Sequence, residues 1–119
     1  AGKLKGAAPI TSGGLQRGVP RALPRHLQAV MKAESWELPA VFRWAACKFN
    51  LPCHEMVSTF NCGLGMVLIV AEEHKDEALQ ILKDQREEPH VVGELAARKD
   101  GEQVVVQGAE SSWLMLPEL

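Results

Sequence analysis

Hydrophobic positions recur along this chain with several different periods, and each period predicts a short element. Residues 1–12 are rich in Gly, Ala and Lys, and they predict a loop or a short edge strand. Ser12 can cap a helix that begins at the next two glycines. Pro20 falls inside that helix and predicts that it is kinked or short. The apolar positions on one face of this helix are Leu15, Val19 and Leu23.

Residues 25–38, RHLQAVMKAESWEL, fit two structures. Propensity favours a helix, because Leu, Gln, Ala, Met, Lys and Glu are good helix formers. Alternation also fits a strand that starts at Leu27 and in which Val30 is the misfit. The residues that this strand would place on one side are Ala29, Met31 and Ala33. The pattern alone favours the helix.

Two helices are predicted on either side of Pro52. The first spans residues 39–49, because Pro39 suits the first helical turn and Arg43 lies outside an apolar stripe. It ends before Pro52, since the residue before a proline avoids the helical region. The second helix, PCHEMVSTF, carries Glu55 in its first turns. The apolar stripe of the first helix comprises Val41, Trp44, Ala45 and either Lys48 or Phe49.

The second half of the chain predicts helix, strand, helix, strand and strand. Residues 66–71, MVLIVA, read as a strand buried on both faces. Residues 72–85 form the clearest helix. Residues 90–98 predict a strand with a bulge at Gly93, joined through the KDG turn to a second strand at 102–108 as a hairpin. The inward residues of the helix are predicted to be Ala78, Ile81 and Leu82.

This order of elements predicts an α+β fold with a mixed or antiparallel sheet covered by helices. We expect a single domain over residues 1–119, and 46% of the residues are hydrophobic, so a small core can form. Residues 109–119, which mix apolar and polar positions, are expected to be a poorly ordered tail. The chain begins with Ala in the middle of a pattern, and we expect it to be a piece of a longer protein.

Charge and cysteine usage narrow the function classes. Thirteen basic and fifteen acidic residues give a net charge of −2, so we expect no nucleic-acid partner and no anionic membrane surface. No apolar stretch approaches the ~20 residues of a membrane span. Three cysteines, Cys47, Cys53 and Cys62, without CxxC spacing argue against a disulfide framework. They predict a reducing compartment and hence a cytoplasmic location.

The stretch TFNCGLGM, residues 59–66, contains two glycines before the predicted strand. It is not a dinucleotide fingerprint, because Leu68 stands where the third glycine would be and the order is helix, glycines, strand. One interpretation is structural: Gly63 and Gly65 provide a positive φ or a close backbone approach at a turn. The other is functional: bare N–H groups and the Asn61 amide line a site for a polar ligand.

A second glycine motif, ITSGGL, covers residues 10–15. Hydroxyl donors and free N–H groups at the start of a helix predict an anion site. The motif lacks the Lys of a phosphate-binding P-loop. The alternative interpretation is an ordinary helix N-cap without a ligand.

Sulfur and imidazole groups offer metal and nucleophile candidates. Cys53, His54 and Cys62 supply ligand types for zinc, but their spacing matches no structural zinc site, and we expect no metal. Cys62 would need a base beside it to act as a nucleophile, and His54 is the local candidate. The acidic run AEEHKDE is typical of a solvated helix face.

Several stretches of the chain resemble one enzyme family. APITSGGLQRGVPRALP resembles the family pattern AHITGGGL…NIPRxLP, and VVGELAAR is similar to a strand near the family's C-terminus. Glu55–Met66 match the family string EMxxTFNxGxGM in full. The residues that fit its PxxFxW element are Pro39, Phe42 and Trp44. From about Lys5 to Gln107, the chain resembles the C-terminal domain of aminoimidazole ribonucleotide synthetase, the phosphoribosylformylglycinamidine cyclo-ligase of purine biosynthesis.

This resemblance implies a fold and a reaction. The domain would be a three-layer α/β/α unit, loosely ferredoxin-like, in which residues 28–34 form a strand. We adopt that strand over the helix, because tertiary context overrides weak propensity. The domain would close over a cleft for formylglycinamidine ribonucleotide, a phosphoribosyl substrate. ATP would activate the formyl oxygen by phosphoryl transfer, and an internal nitrogen would then close the imidazole ring with loss of phosphate.

The resemblance also implies partners and site residues. An N-terminal domain of the same protein would form a homodimer and supply most of the ATP and Mg²⁺ site. Pro9 and Ser12 depart from the family, which has His and Gly there, and no role is assigned to the absent His. Arg21 matches the family's Arg and could meet a phosphate, with a surface salt bridge as the alternative. The implied substrate- and phosphate-binding residues are Thr11, Ser12, Gly13, Gly14, Arg21, Asn61, Gly63 and Gly65, with no catalytic residue in this domain.

Phosphoryl transfer needs carboxylates that hold metal and cations around the triphosphate. This sequence has neither a glycine-rich loop with Lys nor an evident carboxylate pair, so we expect the isolated chain to be inactive. One alternative is a sister enzyme: formylglycinamidine ribonucleotide synthetase, selenophosphate synthetase or thiamine-phosphate kinase. The string TFNCGLGM favours the cyclo-ligase over these. The other alternative is a non-catalytic interaction or relic domain of the same fold, which Pro9 and Ser12 favour.

Overall fold

The computed structural model describes residues 4–98 and 101–114, the side chain of residue 114 excepted. Its strands are β1 (Leu4–Pro9), β2 (Leu27–Lys32), β3 (Met66–Val70), β4 (Gly93–Ala97) and β5 (Val104–Gln107). Its α-helices are α1 (Gly14–Gly18), α2 (Ala40–Phe49), α3 (Cys53–Thr59) and α4 (Lys75–Asp84). Short 3-10 turns span Val19–Ala22, Ala33–Ser35 and Glu72–His74, and a π-helical turn spans Glu110–Leu114. None of the helices described is long and apolar enough to cross a bilayer.

The five strands are divided between two sheets. β1 pairs with β3 in an antiparallel ribbon, in which Pro9 lies opposite Met66. The other sheet has the order β4-β2-β5, with β4 antiparallel and β5 parallel to β2. The α+β class with mixed and antiparallel pairing is therefore confirmed. The predicted hairpin between β4 and β5 is wrong, because β2 lies between them; of the KDG turn, residues 99 and 100 lie outside the described residues.

The strand assignment for β2 is confirmed, and the helix that pattern alone favours is wrong. The Ala29 N–H donates to the Gln103 carbonyl at 2.7 Å, and the Lys32 N–H donates to the Val92 carbonyl at 2.8 Å. Ala29 and Met31 are buried, as the alternation predicts. A central strand satisfies its backbone groups from both sides, and this outweighs a helix propensity of a few tenths of a kcal/mol per residue.

Position 93 requires glycine because the backbone of β2 passes close to it, and no bulge is present there. Pairing between β2 and β4 continues without a shift through Gly93, which lies opposite Met31. A Cβ at this position would overlap the carbonyl oxygen of Val30. The predicted bulge is wrong, although the glycine itself has a clear structural reason.

The core is built from the N-terminal half and the last described residues. Its buried residues are Ala8, Ile10, Leu15, Val19, Ala29, Met31, Ala33, Trp36, Leu38, Ala46, Cys53, Met56, Val57, Cys62, Val104, Ala109 and Trp113. No side chain of residues 66–98 is fully buried. Two predictions fail for this reason: β3 is not buried on both faces, since Met66 is 56% exposed, and Ile81 of α4 is 53% exposed. The other predicted inward residues of α4, Ala78 and Leu82, are half-buried.

The apolar stripe predicted for α2 faces solvent and not the core, so this prediction is wrong. Val41, Trp44 and Phe49 are exposed, whereas Ala46 is buried. Phe42 packs with its ring 5.4 Å from the ring of Phe60 at the end of α3. α2 also contacts the π-helical turn Glu110–Leu114. Contacts from other parts of the fold therefore select the buried face of α2, and a sequence that is apolar on several faces does not determine that choice.

The first helix is short, as Pro20 predicts. α1 ends at Gly18 and gives way to the 3-10 turn Val19–Ala22. Its N-cap is Gly13, with φ 90°, and no side chain bonds to the cap. The predicted capping role of Ser12 is therefore wrong. Of the tail that we expect to be poorly ordered, residues 109–119, residues 110–114 form the π-helical turn. Residues 115–119 lie outside the described residues, and for them the expectation stays a prediction.

Candidate functional site

The two glycine motifs of the sequence form adjacent loops in the structure. The ribbon of β1 and β3 brings the loop after β1 beside the loop before β3, since Pro9 lies opposite Met66. The Ile10 N–H donates to the Gly65 carbonyl at 2.9 Å and joins the two loops directly. We name residues 10–14 the first loop and residues 61–65 the second loop.

Glycine is indispensable at position 14 in the first loop. Gly14 has φ +61°, and a Cβ there would lie 2.5 Å from the Val57 carbonyl oxygen and 2.6 Å from that of Phe60. The first loop is thereby pressed against the end of α3. The Gly14 N–H donates to the Thr11 carbonyl at 3.1 Å, and this bond closes a tight turn.

The first loop carries exposed hydroxyls and backbone N–H groups without an acceptor among the described residues. Thr11 and Ser12 are exposed, and in the described part of the chain their N–H groups and that of Gly13 donate to no residue. Ser12 has no positive φ, so its side chain is accommodated without strain where the family has glycine. α1 has only five residues, so its dipole adds little. An anion at this loop would depend on the loop's own donors.

The second loop is a strained turn with local hydrogen bonds. The Gly63 N–H donates to Asn61 Oδ1 at 2.8 Å, and the Leu64 N–H donates to the Asn61 carbonyl at 3.0 Å. Cys62 and Gly63 have φ +53° and +98°, two successive residues in the left-handed region. A Cβ on Gly63 would lie 2.6 Å from Cδ of Pro39. The structural interpretation is therefore confirmed for Gly63.

The same interpretation is wrong for Gly65. Apart from its two chain neighbours, no described residue has an atom within 4 Å of a Cβ built at Gly65, and the φ of Gly65 is not positive. The steric requirement ends at Gly63, and Gly65 contributes its carbonyl to the bond with Ile10.

Trp36 fixes the second loop from the core, and the sequence did not single it out. Its Nε1–H donates to the Cys62 carbonyl at 2.9 Å, and the side chain is buried. A tryptophan carries a single donor that needs a partner when it is buried. That requirement is the signal in the sequence that could have marked Trp36.

Cys62 is a structural thiol. Its side chain is 0% exposed, and Sγ lies 3.6 Å from the Met56 carbonyl oxygen. Burial, with a smaller contribution from Cys53, raises the pKa of Cys62 to about 12. Burial followed by the charge of Glu110 also raises the pKa of Cys53. Cys62 is protonated at neutral pH and cannot serve as the nucleophile that needs His54 beside it.

The cation beside the first loop is Arg17, which the sequence analysis missed. A Cβ on Gly13 would lie 2.7 Å from both Cβ and Cδ of Arg17, so the arginine stem covers the loop. Arg21 lies in the 3-10 turn whose Ala22 packs against Gly6 of β1. Within the described ranges no hydrogen bond or ion pair joins Arg21 to either loop. Arg17 follows Gly13 by four residues, and in a helix this spacing places two residues on the same face. That spacing could have indicated Arg17 from the sequence.

A cavity of about 1310 Å³ opens beside the second loop. Its lining comes from that loop, β3, α4, β2 and residues 87–95. Apolar side chains form most of its walls. Its titratable lining residues are Glu37, Glu72, Lys75, Glu87, Glu88, His90 and Glu94. This excess of carboxylates favours a cationic or neutral group over a phosphate.

The described residues do not provide a metal centre. In the ranges 4–98 and 101–114 no three His, Cys, Asp or Glu side chains converge as a group that could hold a metal ion. A Mg²⁺–ATP site needs such carboxylates, so these residues do not fit one.

Two comparisons with known proteins bear on the site. Residues 1–106 match the family described as AIR synthase related protein, C-terminal domain. Phosphoribosylformylglycinamidine cyclo-ligase of Chromobacterium violaceum is 42% identical over 99 residues. That alignment covers 83% of this chain and 29% of the relative, so the chain spans less than a third of the relative's length. Both glycine loops lie within the matched residues.

Proposed function

This chain belongs to the AIR synthase related protein C-terminal domain family, and from that premise we propose that it is the substrate-binding domain of a phosphoribosylformylglycinamidine cyclo-ligase. The similarity to the Chromobacterium violaceum enzyme supports the reaction. On this proposal the substrate is formylglycinamidine ribonucleotide, and the parent protein works in purine biosynthesis in the cytoplasm. Three free thiols support a reducing compartment.

The observation that carries the proposal is the hydrogen bond between the Ile10 N–H and the Gly65 carbonyl. It joins two polar loops, whose bonded residues are 55 positions apart in sequence, into one rim beside a cavity. Unused N–H groups at Thr11, Ser12 and Gly13 can donate to phosphate oxygens, and Arg17 adds a positive charge. Asn61 adds an amide at the second loop.

The charges suggest how the substrate is oriented. A phosphate is favoured at the first loop, where donors and Arg17 lie, and disfavoured in the cavity with its excess of carboxylates. The amidine end of the substrate is basic and cationic, so the acidic cavity suits it. We therefore place the phosphate at residues 11–14 and the amidine beyond residues 63–65. Arg21 stays a prediction as a second cation.

We assign ATP and Mg²⁺ to the remainder of the parent protein, in an N-terminal domain that also forms the homodimer. The carboxylates of this chain do not converge into a metal-holding group within the described ranges. The 119 residues should therefore bind substrate without converting it. ATP-dependent ring closure by this chain alone would contradict the assignment.

The proposal is tested by titrating the chain with formylglycinamidine ribonucleotide and following amide shifts by NMR. We expect shifts that centre on residues 11–14 and 61–65 and saturate at millimolar ligand. Inorganic phosphate alone should move the first loop only. Shifts confined to other surfaces, or none at either loop, would overturn the proposal.

Three arginine variants refine the assignment of the phosphate. Arg17→Gln should weaken binding at least roughly tenfold, since a hydrogen bond to a charged group contributes about 1.5–3 kcal/mol. Arg86→Gln, at an exposed position beyond α4, is the matched control and should bind like the wild type. Arg21→Gln decides the remaining prediction, because weakening there would add Arg21 to the site. Equal affinity of Arg17→Gln and Arg86→Gln would remove Arg17 from it.

A further inference from the structure

The last described residues form a turn that lies outside the family match. The family match ends at residue 106, and the C-terminal turn, Glu110–Leu114, follows. Trp113 of this turn is 1% exposed, and the turn contacts α2 and the 3-10 turn Ala33–Ser35. A segment beyond the matched domain therefore contributes one of the largest side chains of the core.

Trp113 is connected to the second loop through one residue. Its ring packs edge-to-face on Trp36, with centroids 5.6 Å apart and planes at 68°. Trp36 in turn donates its Nε1–H to the Cys62 carbonyl at 2.9 Å. Aromatic pairs of this geometry restrict each other's orientation. Trp113 therefore packs against the same indole whose Nε1–H bonds to the Cys62 carbonyl.

The second loop needs such an external contact. Cys62 is not glycine and yet has φ +53°, and Gly63 follows at φ +98°. Backbone in this region persists where surrounding contacts over-determine it. The loop's own bonds, both to Asn61, fix residues after Cys62 and leave the Cys62 carbonyl to Trp36.

We propose that Trp36 and Trp113 are positioning residues that hold the second loop in its ligand-ready conformation, so that the C-terminal turn controls the substrate site. This inference rests on the proposed function in taking the second loop as a substrate-binding element. The tryptophans do not contact the substrate. They act through the Cys62 carbonyl.

A purely structural role for the two rings makes a different prediction. Trp36→Phe keeps an aromatic ring in the core, but it removes the donor to Cys62 together with part of the indole volume. Trp113→Phe also keeps a ring, and the Nε1–H it removes has no partner in the described part of the chain. If packing alone mattered, both variants would behave alike. If the hydrogen bond positions the loop, Trp36→Phe loosens the loop clearly more than Trp113→Phe does.

The test is amide hydrogen exchange by NMR on the 119-residue chain. In Trp36→Phe we expect the Gly63 and Leu64 amides to exchange roughly tenfold faster, as the loss of one buried hydrogen bond allows, with Met56 unchanged. Trp113→Ala should accelerate the same amides and the Trp36 indole N–H. Trp113→Phe loses a similar ring volume but no bonded donor, so it should accelerate these amides clearly less than Trp36→Phe does. The control Trp44→Phe, on the exposed face of α2, should stay at wild-type rates.

Two outcomes of the exchange experiment would overturn the proposal. One is unchanged exchange at Gly63 and Leu64 in Trp36→Phe. The other is equal acceleration at Met56 and at the loop, which indicates a loss of global stability only. If Trp113→Ala fails to fold, the two Phe variants still decide the matter.

A ligand titration separates this inference from the proposed function. With formylglycinamidine ribonucleotide, Trp36→Phe should bind roughly tenfold more weakly than Trp44→Phe, because the loop must be ordered on binding. Wild-type binding with no weakening in Trp36→Phe would overturn the positioning role and leave the proposed function intact. Absence of wild-type binding would overturn the proposed function, while hydrogen exchange still decides whether the tryptophans order the loop.

Discussion

Two regions of this molecule differ sharply in packing. The packed region, residues 8–62 and 104–113, supplies every fully buried side chain among the described residues. The open region, residues 66–98, supplies none, although it contains a strand and a helix with apolar residues such as Ile81. The two glycine loops lie where the regions meet. They are shaped by the packed region, and the open region forms a wall of the cavity beside them.

The difference in packing indicates that the side of the cleft formed by the packed region is preorganised. Gly14 and Gly63 are held against backbone or proline atoms of the packed region, and the Trp36 indole fixes Cys62. α4 and β4 have few buried contacts, so local opening there costs less free energy than opening of the core. On our account the phosphate end of the substrate meets a fixed rim, and its other end meets an adjustable wall.

The largest expected effect comes from a glycine at the packed side of the rim. Gly14→Ala should lower the free energy of unfolding by about 3 kcal/mol or more, because its Cβ meets two carbonyl oxygens at a positive φ. Gly65→Ala, where no contact arises, should stay within about 0.5 kcal/mol of the wild type. Urea unfolding followed by circular dichroism measures both. Similar urea midpoints for the two variants would contradict the steric difference between positions 14 and 65.

Truncation of an apolar side chain should give the next largest effect. Leu15→Ala removes a side chain that is fully buried, and should cost about 2–5 kcal/mol of unfolding free energy. Ile81→Ala, in the open region, should cost less than about 1 kcal/mol. The same urea experiment measures both. A cost at Ile81 as large as that at Leu15 would mean that α4 is packed in solution.

The buried thiol predicts a pH dependence at alkaline pH. Between pH 9.0 and about 12 the unfolded chain loses the Cys62 proton and the folded chain keeps it, so the free energy of unfolding falls as pH rises. Urea unfolding at pH 8 and pH 10 measures the effect. The wild type should lose more stability over this interval than Cys62→Ala. Identical pH dependence of the two proteins would contradict the burial of Cys62.

The smallest effect concerns the departure from the family at position 12. Ser12 is exposed and has no positive φ, so Ser12→Gly should change stability by less than about 0.5 kcal/mol. Its affinity for formylglycinamidine ribonucleotide should also remain near the wild type. Tighter binding by Ser12→Gly would mean that the serine Cβ obstructs the approach of the ligand.

Sequence and structure agree where a local rule decides the outcome and differ where packing decides it. Pro20 shortens α1, and Gly63 supplies a turn residue, because both effects act within a few residues. The orientation of α2 could not be predicted, since it contacts the C-terminal turn, which is distant in sequence, and several faces of the helix are apolar. β2 became a strand through pairing on both edges, against its propensity.

The site shows the same division. The two glycine motifs could be found in the sequence, and the family resemblance joined them. The bond from Ile10 to Gly65 depends on the antiparallel register of β1 and β3, which no local pattern specifies. Arg17 and Trp36 were missed because each acts through a contact with backbone that the fold brings close.

The most direct test of the central claim is the exchange rate of the Ile10 amide hydrogen. On our account this N–H joins the two loops and belongs to the packed region, since Ile10 is buried. It should exchange as slowly as the Met56 amide in α3 and much more slowly than the Leu82 amide in α4. Exchange of Ile10 at the rate of Leu82 would show that the loops are not joined, and the single substrate rim would be wrong.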